Sequence, residues 1–138
     1  LKKILLTALL LTITTASYAN DDFVKALDDQ LSACTNKAEN TLATNECFSV
    51  GLKAWDTELN KQYKLLLADQ SDEFKNSLKK SQVAWIKYRD SYVEAMQSFY
   101  RQQDGTIWGT IMSDAKLRVT RDKAIELYKL RTSTDLEG

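Results

Sequence analysis

Asp56 and Asp90 are two carboxylates that could form an acid/base pair of the kind that cleaves glycosidic bonds. Arg89 and Arg121 offer planar donor forks suited to carboxylates, and Trp55, Trp85 and Trp108 offer rings on which a sugar could stack. Cys34 and Cys47 are the only thiols, and the chain has no histidine. The lack of histidine excludes Ser-His-Asp triads, Cys-His dyads and every His-ligated zinc site. Two cysteines close neither a zinc cage nor an iron–sulfur cluster, so no cofactor and no metal is expected. The 19 basic and 19 acidic side chains cancel, leaving no overall cationic field to drive nucleic-acid binding. Stretches such as Lys79-Lys80 read as solvated helix faces.

The compartment decides what the cysteines do. Lys2 and Lys3 precede a mostly apolar run from Ile4 to Ile13, and Ser17-Tyr18-Ala19 places small residues where a secretory leader is cut. The apolar run is roughly half the ~20 residues that a membrane span needs. The expected leader is therefore 1–19, with a secreted or periplasmic mature chain of 20–138. Asn20, not a cysteine, immediately follows the cleavage point, so no stable membrane anchor is expected after processing. In an oxidising compartment the two cysteines pair most economically with each other, as a staple worth about 3 kcal/mol in the chain-entropy model. Their spacing is not the C-x-x-C of a redox-active pair.

Helices must carry all these residues. The chain has no proline and only four glycines, and its apolar residues recur every three or four positions. Phe23, Leu27, Leu31 and Cys34 mark a short first helix over Asp22 to Cys34, followed by a polar connector from Thr35 to Thr44. Thr44 is the expected cap of a second helix, with a buried line of Phe48, Leu52, Trp55, Leu59, Tyr63 and Leu66. Ala68 to Ser71 breaks the pattern, and Ser71 suits the cap of a third helix reaching about Gln103. The stripe of that helix reads Phe74, Leu78, Gln82, Trp85, Arg89, Tyr92, Met96 and Phe99. Asp104-Gly105 stops it, and a fourth helix begins between Ile107 and Thr110 and runs to about Arg131. The expected fold is all-α: an antiparallel bundle of three long helices plus a short disulfide-tethered N-terminal helix. It reads as a single domain over 20–138 with its core at about 34–131.

Several polar residues fall on or beside buried lines. Gln82 and Arg89 interrupt helix three, Arg121 interrupts the line Leu117, Arg121, Ala124 and Tyr128, and Asp56 and Asn60 flank the line of helix two. A cation there is costly unless paired. The expectation is an interhelical network of Asp56, Asn60, Arg89, Asp90 and Arg121, with Gln82 beside it. Trp55, Trp85 and the tyrosines are expected in the core, whereas Trp108 sits at a helix junction between Gly105 and Gly109.

Four stretches occur in order: Cys34…Cys47, Trp55-Asp56-x-x-Leu59-Asn60-x-x-Tyr63, Gln82-x-x-Trp85-x-x-Tyr88-Arg89-Asp90, and Gly105-Thr106-Ile107-Trp108-Gly109. On these the chain resembles the LprI-like lysozyme-inhibitor family of secreted bacterial helical domains, from about Cys34 to Leu130. The resemblance implies a non-enzymatic module with a protein partner, a lysozyme in the namesake mycobacterial lipoprotein. Unlike that lipoprotein, this chain has no lipid-attachment cysteine after its leader. The candidate contacts lie in the turn from Arg101 to Trp108, where Arg101 offers donors to carboxylates, Asp104 ends the helix and Trp108 offers an apolar anchor. Residues 20–73 carry 11 acidic and 5 basic groups, an imbalance that could hasten encounter with a basic enzyme. The competing readings are a periplasmic structural or assembly factor that binds another envelope protein, and a wall hydrolase using Asp and Glu.

Overall fold

The computed structural model describes residues 22–135, and the expected leader at 1–19 lies outside them. Four helices follow one another: α1 (Asp22–Lys37), α2 (Thr41–Leu67), α3 (Asp72–Tyr100) and α4 (Ile107–Thr132). Each junction has a local cause. Asn40, not Thr44, caps α2: its side-chain oxygen accepts from the Ala43 amide at 2.9 Å. Thr44 lies inside the first turn, where its hydroxyl donates to the Asn40 carbonyl at 3.0 Å. The first helix also runs one turn further than its apolar spacing indicated, to Lys37, and the connector shrinks to Ala38–Asn40. Ser71 caps α3 by accepting from the Phe74 amide at 3.2 Å. Gly105 takes a φ of 107°, a conformation costly for any residue with a Cβ, and so permits the turn between α3 and α4.

Successive helices reverse direction, which makes α2 and α4 parallel. They form the most extensive helix pair, in register from Gly51 beside Leu117, through Trp55 beside Arg121, to Gln62 beside Arg131. Gly51 makes this approach possible. A Cβ there would stand 2.8 Å from Leu117 Cδ1 and 3.3 Å from Leu31 Cδ1. The core is built on Trp55, Leu59, Leu66, Leu78, Leu117, Ala124 and Leu127, with Trp55 wholly buried. α1 lies across it as an amphipathic cover, contributing Phe23, Val24, Leu27 and Leu31 without burying any residue completely. The Cys34–Cys47 disulfide spans Cα atoms 5.6 Å apart and ties the last turns of α1 to the second turn of α2.

α3 approaches the pair less closely and reaches it through long side chains. Its inward seam is Leu78, Gln82, Trp85, Arg89, Val93, Met96 and Tyr100, so Tyr92 and Phe99 do not belong to the core. Tyr88, Tyr92 and Phe99 are 59%, 44% and 61% exposed. The difference is one of period. The stripe read from the sequence advances by 3.5 residues per turn, whereas a straight helix needs 3.6 and drifts about 20° per heptad. From Leu78 the observed seam returns after eleven residues at Arg89 and again at Tyr100, which keeps it facing the bundle.

Candidate functional site

The polar residues on buried lines divide into separate clusters. On α4, Arg121 Nε and Nη2 donate to the two carboxylate oxygens of Asp28 on α1 at 2.9 and 2.7 Å. Its guanidinium carbon lies 5.4 Å from the centre of the Trp55 ring, and Nη1 reaches Asp122 at 3.3 Å. The hydrogen bonds it donates to Asp28 hold the Arg121 guanidinium above its already high pKa, against the opposing effect of partial burial. Arg121 thus joins α1 to α4 and does not meet Asp56.

On α3, Arg89 lies 5.2 Å from the centre of the Trp85 ring. It donates to Asp90 at 3.2 Å and stands 3.6 Å from Asp56 on α2. Asp56 and Asp90 are therefore brought to one guanidinium, with both carboxylates more than half exposed at the surface. Asn60 stays on its own helix, donating to the Asp56 carbonyl at 2.9 Å. Gln82 is buried, and its Oε1 has no hydrogen-bond partner.

A third cluster went unread in the sequence. Gln62, only 2% exposed, donates to Glu58 at 2.6 Å and accepts from Arg131 Nε and Nη2 at 3.3 and 3.2 Å. Asp28 was missed as well. A signal for it existed: Val24, Asp28 and Leu31 fall on one edge of α1, and the cation on the buried line of α4 required an anion from another helix. Gln62 carried a weaker signal, its spacing of three from Leu59 and four from Leu66 on the buried face.

The turn between α3 and α4 is the longest connection between the described helices. Residues 101 to 107 are all exposed, including Arg101 and Asp104. Trp108 is half-buried and braces the turn from within. Its indole N–H donates to the Asp104 carbonyl at 2.8 Å, and its ring stacks on Tyr100 at 5.6 Å with the planes 14° apart. Arg101, Tyr100, Gly105, Trp108 and Met112 help line an open recess of about 300 Å³ beneath the turn. Because α2 and α4 are parallel, this turn shares its end of the bundle with the disulfide.

The geometry defines a disulfide-stapled helical bundle whose Arg89, Arg121 and Arg131 are held over aromatic rings and paired with a carboxylate or an amide on another helix. The Lysozyme inhibitor LprI family matches residues 34–127, more than half of the chain, and the chain belongs to that family. It is 30% identical to the uncharacterized protein R02472 of Rhizobium meliloti (strain 1021), over 72% of this chain and 79% of that protein. Its fold is shared with the crystal structure of an uncharacterized protein from Burkholderia thailandensis. That match has a TM-score of 0.72 at 18% identity and covers 81% of this chain and 56% of the other. Among the described residues, no helix is long and apolar enough to cross a membrane.

Proposed function

We propose that this chain is a secreted or periplasmic protein-binding module that inhibits a lysozyme and performs no chemistry of its own. The match to the lysozyme-inhibitor family across residues 34–127 carries this reading. The contact surface in this proposal is the exposed turn, with Arg101 directed at carboxylates of the enzyme cleft and the braced Trp108 edge as its apolar neighbour. The acidic excess of residues 20–73 favours encounter with a cationic enzyme. Asp56 and Asp90 serve structure in this reading, since a single guanidinium holds both of them.

The test follows lysis of wall suspensions by several lysozyme types, with and without the purified mature protein, at low and moderate salt. Slower lysis is expected, weakening as salt rises, because the Debye length falls to about 8 Å at physiological ionic strength. Arg101→Glu is expected to relieve the inhibition without altering the melting curve. Unchanged lysis with every lysozyme type, together with recovery of a different envelope protein, would favour an assembly role. Lysis by the protein alone would establish a hydrolase.

A further inference from the structure

We infer that two copies of this chain pair through α3, antiparallel, along an uncharged face centred on Ser91 and Tyr92. Ser81, Ala84, Tyr88, Ser91, Ala95 and Ser98 are all exposed and recur at alternating steps of three and four, the spacing of a helix-pairing seam. Tyr92 and Phe99 flank this seam and are themselves exposed. No charged residue interrupts it, although 28% of the chain is charged. Charge-free, aromatic-rich surface of this kind marks the centre of protein interfaces. Exposed Tyr88 and Tyr92 stack on each other with their planes 4° apart, so they form one preorganised block.

The occupant follows from the order of large and small residues. When two such helices run antiparallel about a two-fold axis between positions 91 and 92, Tyr88 of one copy meets Ala95 of the other. Phe99 lies level with Ala84, and Tyr92 stands beside its own counterpart at the axis. Tyr88 thus has a small residue opposite, and the two Tyr92 rings pair across the axis. On one flank, Lys87 of each copy lies diagonally across from Glu94 of the other, about 3 Å from level along the helix and both exposed, which adds two opposite-charge pairs at the rim. The same surface serves both copies, as a two-fold interface requires.

Its size sets the strength. From Ser81 to Phe99 the face is about 27 Å long at 1.5 Å per residue, and one helix width makes it on the order of 300 Å² per copy. Stable interfaces bury about 800 Å² per partner, so the dimer is weak and depends on concentration.

Sedimentation equilibrium of the full mature chain, from about 10 μM to 1 mM, tests this in the range expected of a weak interface. The wild-type average mass should rise from one chain toward two. Tyr88→Glu should remain at one chain throughout, with unchanged helical signal and melting curve, because Tyr88 is a surface residue. As a placement test, Ser91→Cys should form an intermolecular disulfide on mild oxidation, and Ser81→Cys should not. A wild type that stays at one chain across the range overturns the proposal and leaves the face to some other occupant. Dimerisation of Tyr88→Glu to the wild-type extent, or equal cross-linking at both cysteine positions, overturns the assignment of the face.

Discussion

Arg121 on α4 and Arg89 on α3 share a local setting. Each lies over a tryptophan ring, holds a carboxylate from another helix, and touches the aspartate that follows it in sequence. Their depths differ. Arg121 covers a fully buried Trp55 and grips Asp28 with two short bonds, whereas Arg89 covers a half-buried Trp85 and meets Asp56 at a single 3.6 Å contact. The difference traces to Gly51, which lets α1 and α4 close on α2, while α3 is held at longer range. One Trp/Arg-Asp grammar therefore yields a tight clasp where backbones touch and a looser tie where they do not.

The largest test of that contrast is to remove the rings. Trp55→Ala should cost about 3–5 kcal/mol in urea unfolding, because the site is sealed and its cavity collapses poorly. Trp85→Ala should cost less than half as much; equal losses would erase the distinction between the two regions. Next in size is the close approach itself. Gly51→Val should destabilise by about 1–3 kcal/mol through overpacking against Leu117 and Leu31. Gly109→Ala, where an added Cβ meets nothing within 4 Å, should stabilise by about 0.5–1 kcal/mol.

The ion pairs come third. Arg121→Met should cost about 1–2 kcal/mol, a figure reduced for the partial exposure of both partners, and Arg89→Met less than about 1 kcal/mol. A double-mutant cycle with Asp28→Asn should return a coupling energy for Arg121, while Asp56→Asn should return almost none for Arg89. The smallest effect concerns pH. The folded state raises the pKa of Arg121, so the associated stability is present below the unfolded value and is lost only as pH rises through the folded one. Both values lie far above neutrality, and the chain has no histidine, so the melting temperature should stay flat between about pH 6 and 9.

Apolar spacing made the four helices legible, together with the Ser71 cap, the Gly105 stop and the disulfide. Spacing could not find the start of α2, because Asn40 and Thr44 are both competent caps four residues apart and only the backbone geometry chooses between them. Nor could it separate Tyr92 from Val93 or Phe99 from Tyr100, since adjacent positions exchange places once the period changes from 3.5 to 3.6. Arg89 and Arg121 were recognisable as cations needing partners. Their partners were less so, because a sequence does not state which helix covers which. Asp56 was found beside Arg89, while Asp28 lay on a helix assigned only to the staple.

In the proposed function, the arginines on buried lines hold the bundle together and the exposed turn meets the partner. Calorimetric titration against a panel of lysozymes, using wild type, Arg89→Met and Arg101→Glu, tests it most directly. Arg89→Met should bind with wild-type affinity and a slightly lower melting temperature, and Arg101→Glu should melt normally and bind at least tenfold more weakly. An Arg89→Met protein that folds and melts normally yet fails to bind, beside an Arg101→Glu protein that binds undiminished, would contradict it.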